Sequence, residues 1–524
     1  MFIVMIRTAG NQRYIFSSGK RKEIVGASDL VARVNGVWTE EALREIFPGF
    51  EKDHWRIASH DAELLVASAG RVTLLVKEAD AGRRLVTALT LRALDQAPGL
   101  DVCGVVVPYE RGSLNAVMKN VQTELAAVRE VRPGPQARFL RLPPVEDCAS
   151  SGLPAAGVRA EGKDEPAQPR SAAALAKLDA YQDALERLAV DADVERRATR
   201  EIVDDLGLRT EWVAVVHADG NGFGELFLKL GESAQDDEAY AGALRDFSAG
   251  VDRCGKGALR EALRRTAQEL GKDPRNEPLK LLPLVLGGDD LTVVCEGEVA
   301  LPFTRHYLEA FEEETATDPW LGPLLKESGR EYLSAGAGVA IVKRNYPFHF
   351  AYQLAEKLAE AEAKKVKDWS SALAFVVLFE SAAPDLERIR ASVTLSGGSG
   401  GTASPYVVGE GSADLRGKGR RWADLERRAH ALNRREPGSK ELLIPRSAAH
   451  DLREGVCLGA EVAASRLDLL RQRFEGDRER SGALMELTEK GGGLLWTDHG
   501  GKSVTGLLDA MATLQFLKPK ERAE

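Results

Sequence analysis

The chain is poor in cysteine. Cys103, Cys148, Cys254, Cys295 and Cys457 are scattered through 524 residues, and no two of them form a CxxC pair. That spacing argues against a zinc ribbon and against a disulfide framework. It fits a reducing compartment, so a cytoplasmic protein is expected. Long hydrophobic runs are also missing. No stretch approaches the ~20 apolar residues that span a bilayer, and no membrane association is expected. The opening MFIVMIRTAGNQRY turns polar too early for a secretory h-region with its cleavage site. A basic excess is absent as well. With 71 Lys and Arg against 80 Asp and Glu, the formal net charge is −9. This excludes an overall positive field for long-range nucleic-acid capture and leaves only local basic grooves.

What is present is the composition of a soluble globular protein, 44% hydrophobic and 29% charged. The length suggests roughly three domains at about 100–200 residues each. Residues 1–149 read as strand, turn, a second extended piece, helix, two strands around a turn, an amphipathic helix and a strand. That is a βαββαβ order, an α+β sandwich. Residues 150–172 are rich in Ala, Pro and Gly and read as a linker, and residues 173–208 are helical. The βαββαβ pattern then returns more fully in residues 210–409: a strand EWVAVVHA, a long helical stretch, a hairpin LLPLVLGG–DLTVVCE, and further helices and strands. Residues 410–524, entered just after the GGSGG at Gly397–Gly401, are charged and mostly helical.

The chemistry lies in the second unit. Asp289 and Asp290 stand at the tip of an apolar hairpin, after Gly287 and Gly288. Taken alone, GGDD is as readily an ordinary hairpin turn. A third carboxylate changes this. Asp219 ends an apolar strand directly before the turn Gly220–Asn221–Gly222–Phe223–Gly224, which opens a helix. In a βαββαβ sheet that strand and the hairpin are neighbours, so the acidic groups converge. Three adjacent carboxylates repel unless a cation neutralises them, and hard oxygen ligands suit Mg²⁺ or Mn²⁺. The glycine-rich turn offers backbone N–H groups to a triphosphate. Lys364 and Lys365 close a downstream helix and are candidates for a phosphate contact; an ordinary solvated helix end is the competing reading. His217, two residues before Asp219 on the same strand face, is a lesser candidate for tuning the site.

These pieces resemble a known family. HADGNGFG, LGGDD, SAGAGVAIVKRNYPFHFAYQLAEKLAEAEAKK, ALAFVVLFES and TASPY are similar to the catalytic palm domain of the large polymerase-like subunit of type III CRISPR effector complexes, the cyclic oligoadenylate synthase family. The resemblance implies two ferredoxin-like palm domains, a helical linker and a helical C-terminal domain. It implies ATP as substrate and an antiphage role. It also implies Asp219, Gly220, Asp289 and Asp290 as metal ligands, and nucleotide contacts from Gly220 to Gly224, Gly287, Gly288, Lys364 or Lys365, and Ser28. Tyr346–Pro347–Phe348 would form the loop before the lysine-bearing helix. In the first palm the hairpin position reads ASAGRVTLLV, without carboxylates, so that palm is expected to be silent and to hold the acceptor nucleotide. Cys148 sits where the family carries a cysteine-bearing junction, but the other ligands are missing and no zinc is expected. No His-Asp pair precedes the first palm, and SHD at 59–61 lies inside it, so a nuclease activity is not expected.

Two alternatives stay open. One is a scaffold subunit that assembles around guide and target RNA with other CRISPR effector subunits, supported by the arginine-rich stretch at 417–437. The other is a GTP-using GGDEF-type cyclase, disfavoured by Asp290 in place of Glu and by the apolar Leu291. Base specificity, linkage and oligomeric state are not legible.

Overall fold

The computed structural model describes residues 1–160, 166–206, 210–273, 277–367, 370–379, 385–392, 401–409, 419–489, 492–498 and 501–517. Gly397 to Gly400 and the first two residues of the arginine-rich stretch lie outside them.

The first unit contains β1 (Phe2–Ala9), α1 (Asn11–Ile15), α2 (Arg21–Asn35), α3 (Val37–Ile46), β2 (Ala62–Ser68), β3 (Arg71–Val76), α4 (Ala79–Gln96), β4 (Asp101–Pro108) and α5 (Leu114–Glu130). Its four strands are ordered β2–β3–β1–β4, all antiparallel, which is the βαββαβ arrangement. Both faces of the sheet are covered. Ile3 and Met5 of β1 join one core cluster and Val4 and Ile6 the other. That explains why the strand reads as a continuous apolar run instead of an alternating one. The piece after β1, expected to be extended, is instead the short helix α1.

A small hairpin, β5 (Gly157–Arg159) and β6 (Gln168–Arg170), precedes the helical connection. That connection is two helices, α6 (Ala172–Ala192) and α7 (Arg196–Asp205), interrupted at Asp193, whose φ is +53°. The left-handed conformation ends a right-handed helix.

The second unit holds β7 (Trp212–Gly220), α8 (Phe223–Ser233), α9 (Asp237–Glu269), β8 (Leu281–Gly287), β9 (Asp290–Glu296), α10 (Gly297–Thr317), α11 (Leu321–Glu327), β10 (Ala335–Lys343), α12 (Phe348–Ala361), β11 (Ala372–Val377) and β12 (Tyr406–Val407). The sheet order is β12–β11–β10–β7–β9–β8. Its β8–β9–β7–β10 part repeats the first sheet, and β11 adds in parallel beyond β10. The fold is therefore α+β with two palm-type sheets.

The two units pack reciprocally, α2 against β8 and α9 against β2. Each contact carries a polar lock. Arg245 of α9 ion-pairs with Glu63 of β2, whose side chain is 5% exposed. Ser28 of α2 donates to the carbonyl of Leu284 in β8. The hairpin tips also meet, and their lengths differ. In the first sheet Arg7 faces Arg71, which pairs with Ser68 directly across the turn. In the second, His217 faces Thr292, and the pairs Leu286–Leu291 and Gly287–Asp290 still lie between it and the turn. The longer hairpin reaches the first unit. A Cβ placed on Gly288 would lie 3.2 Å from Ala69 Cβ.

The C-terminal residues form α-helices at Trp422–Asn433, Arg446–Leu458, Ala460–Arg473, Arg478–Glu486 and Leu507–Thr513. The arginines that suggested an RNA-binding face are engaged within this region. Arg428 is buried and ion-paired with Glu489. Arg420 bonds Asp498 at 2.9 Å, Arg427 bonds Asp424 at 3.1 Å, and Arg434 bonds Glu479 at 2.9 Å. These contacts are made within the C-terminal residues, and Arg427 and Arg434 keep part of their side chains exposed.

Candidate active site

Asp219 is the penultimate residue of β7 and pairs with Gly336 of β10. Asp290 opens β9 and pairs with Gly287, leaving Gly288 and Asp289 as the turn. Gly288 takes φ +61°, a conformation open to glycine at little cost. Because β7 lies between β10 and β9, the strand end and the hairpin tip meet. One oxygen from each of Asp219, Asp289 and Asp290 lies within 4.8 Å of the others, the one such group of His, Cys, Asp or Glu among the described residues.

Concentrating these carboxylates has an electrostatic cost. Burial pushes the Asp290 carboxyl up to about 7, with Asp289 and Glu356 adding to the rise. Burial also raises Asp289. One positive charge is built in: Lys364 ion-pairs with Asp219. Lys364 follows α12 in a 3-10 turn, Ala363–Val366, and not in the helix itself. A Cβ on Gly336 would lie 3.1 Å from Lys364 Cγ, so the lysine stem crosses the sheet over the residue paired with Asp219. Burial, with Lys367 adding to it, lowers the Lys364 ammonium. The donor set is all oxygen, the carboxylates are partly dehydrated, and an extra cation would relieve their repulsion. The cluster thus fits Mg²⁺ or Mn²⁺.

The turn beside it is firmly held. A Cβ on Gly220 would lie 2.8 Å from Asp289 Cβ, so close approach of the hairpin requires glycine there. Asn221 is buried. Its N–H donates to the Ser334 carbonyl at 2.8 Å and its Nδ2 to Ser334 Oγ at 3.0 Å. Gly222 caps α8 at φ +73°. Phe223 packs edge-on against Phe247, 5.6 Å between centroids. Gly224 has open space around it. Asn221 and Phe223 therefore anchor the turn.

Other candidates fall elsewhere. Lys365 is exposed, and the lysine at the carboxylates is Lys364. Ser28 is buried in the seam between units, where its hydroxyl also accepts from Arg187 Nη2 at 2.9 Å; it does not face the carboxylates with a spare hydroxyl. His217 bonds Thr292 Oγ1 at 3.2 Å and lies edge-on to Tyr352. Burial, aided by Lys364, brings its imidazole down to about 4, so it stays neutral near pH 7. The five cysteines are unpaired.

Three residues escaped the sequence reading. Glu356 of α12 lies within electrostatic reach of Asp290. Arg330 sits against Gly222, which a Cβ there would approach to 2.7 Å from Nη2. Ala9 ends β1 as Asp219 nearly ends β7, and the following Gly10–Asn11 matches Gly220–Asn221. The signal for Ala9 was legible: TAGN in the first unit against ADGN in the second. The first palm thus lacks the strand-end carboxylate as well as the hairpin pair.

Residues 212–371 match the family model for Cas10/Cmr2, second palm domain. No curated protein matches the chain. Among solved structures, a Csm1–Csm4 cassette without ligand aligns over 98% of this chain and 70% of that one, at 12% identity and a TM-score of 0.47. A Csm1–Csm4 cassette in complex with AMPPNP aligns over 70% and 53%, at 13% identity and 0.42. One in complex with cA4 aligns over 84% and 63%, at 13% and 0.43. The chain spans about half the length of the AMPPNP-bound chain. The specific likeness is the one over residues 212–371, to the second palm domain of Cas10/Cmr2.

Proposed function

We propose that this chain is a metal-dependent nucleotidyltransferase that joins ATP into a cyclic or linear oligonucleotide messenger for CRISPR-type antiphage defence. The observation that carries the reading is the convergence of Asp219, Asp289 and Asp290 within 4.8 Å, with Lys364 on Asp219. The family match over residues 212–371 supports the choice of nucleotide chemistry. Mg²⁺ or Mn²⁺ held by the three carboxylates would lower the pKa of an attacking hydroxyl and offset charge on the leaving pyrophosphate. The chain's own residues do the rest. The amides after Asn221, from Gly222 to Gly224, hold phosphate oxygens. Lys364 holds Asp219 and offsets negative charge beside the phosphates.

The first palm is assigned the acceptor nucleotide. A groove of about 930 Å³ runs between Gly10 with α1, including Arg13 and Tyr14, and Tyr352 and Glu356 of α12. Glu356, which lines that groove, is within electrostatic reach of Asp290. Association with other effector subunits and with RNA belongs to the same proposal and rests on the family likeness.

The test is incubation of purified protein with labelled ATP or GTP and Mg²⁺ or Mn²⁺, followed by chromatography of products, beside the Asp289→Ala/Asp290→Ala variant. Oligonucleotides made from ATP by the wild type and absent with the variant support the reading. Products from GTP alone, or equal products from both proteins, overturn it.

A further inference from the structure

Arg330 lies between α11 and β10, with its backbone N–H on the Leu325 carbonyl at 2.9 Å. Its guanidinium rests on Gly222, the residue that caps α8: a Cβ there would lie 2.7 Å from Nη2 and 2.9 Å from Nη1. This placement is electrostatically adverse. The start of an 11-residue helix carries partial positive charge from unpaired N–H groups, and a cation there is repelled. The carboxylate it does meet, Glu225, is 3.4 Å away on a side chain 69% exposed, a contact of little worth in water. A guanidinium resting on the cap of a helix, with one loose partner, is an arrangement that an anion stabilises from both sides. Lys364, by contrast, is occupied by Asp219.

We propose that Arg330 is a phosphate-binding residue of this site, gripping the outer phosphates of the nucleoside triphosphate, which depart as pyrophosphate, where they lie on the Gly220–Gly224 turn. The idea rests on the reading of this site as a triphosphate site. It also gives Gly222 a second reason to be glycine, since a side chain would push the guanidinium away.

The experiment is calorimetric binding of inorganic tripolyphosphate and of a non-hydrolysable ATP analogue with Mg²⁺, to wild type, Arg330→Ala, Glu225→Gln and the double variant. Arg330→Ala should weaken both ligands about tenfold or more, as expected for loss of a charge-assisted hydrogen bond. Glu225→Gln should leave both affinities within about threefold of its parent, in wild type and in Arg330→Ala alike, because the exposed pair holds the guanidinium weakly. If Arg330 only pins the turn, Arg330→Ala lowers the melting temperature without changing tripolyphosphate affinity, and the proposal fails. No binding of either ligand to folded wild type would instead sink the triphosphate site itself.

Discussion

Ala69 of the first palm lies directly under Gly288 of the second, so that a Cβ on Gly288 would come within 3.2 Å of Ala69 Cβ and 3.3 Å of Ser68 Oγ. The silent hairpin is the floor on which the acidic hairpin sits. Gly288→Ala adds this crowding to a left-handed backbone at φ +61°. It should cost about 1–2 kcal/mol of stability and displace Asp289. Thermal melting and product assays on one preparation would check both; unchanged activity would show that the tip position is not critical.

The two lysines should separate cleanly. Lys364→Ala removes the cation on Asp219 and should lower turnover on ATP about tenfold to a hundredfold, the range for about 1.5–3 kcal/mol of charge-assisted bonding. Lys365→Ala, at an exposed position, should change it less than about twofold. Steady-state rates for both variants decide, and equal effects would remove Lys364 from its special place.

Metal affinity should depend on pH around neutrality. Asp290, raised to about 7 by burial, Asp289 and Glu356, must lose its proton to bind a cation. Between pH 8 and pH 6 the Mn²⁺ dissociation constant should rise about tenfold, with proton release visible as a buffer-dependent heat. The stability of the metal-free chain should run the other way. The folded pKa lies above the ordinary carboxylate value near 4, so between about pH 4 and pH 7 the folded chain holds a proton the unfolded chain has lost. Stability therefore falls as pH rises through that window. Asp290→Asn should flatten both trends, and a pH-independent wild type would contradict the assignment.

Ser28→Ala tests the seam. It leaves the Leu284 carbonyl without its donor and Arg187 without one acceptor, a loss of about 1–3 kcal/mol. ATP affinity should be unaltered. Weakened nucleotide binding at unchanged stability would return Ser28 to the nucleotide site.

Much of the site was readable because its residues obey local rules. An apolar strand ending in Asp219, a glycine-rich turn and a two-residue hairpin turn each have a short-range signature. The strand glycines Gly336 and Gly338 were also a signal, for a glycine inside a strand marks close approach of another segment. What crosses them, Lys364 at one and the backbone of α12 at the other, had to be seen. Arg330 had no signature. It lies 108 positions beyond Gly222 in a connection with no motif.

By itself the sequence determined the two βαββαβ units, the missing hairpin carboxylates of the first and the three acidic candidates of the second. Strand periodicity and turn chemistry are encoded within a few neighbouring residues, and they repeat. Only the tertiary structure decided that Lys364 and not Lys365 meets Asp219, that Ser28 locks a seam, that C-terminal arginines such as Arg428 pair within their own region, and that Arg330 faces the turn. Each of these turns on which side chain of a similar pair is carried to which distant partner. Each rests on a contact between segments far apart in the chain: Lys364 with Asp219, Ser28 with Leu284, Arg428 with Glu489 and Arg330 with Glu225.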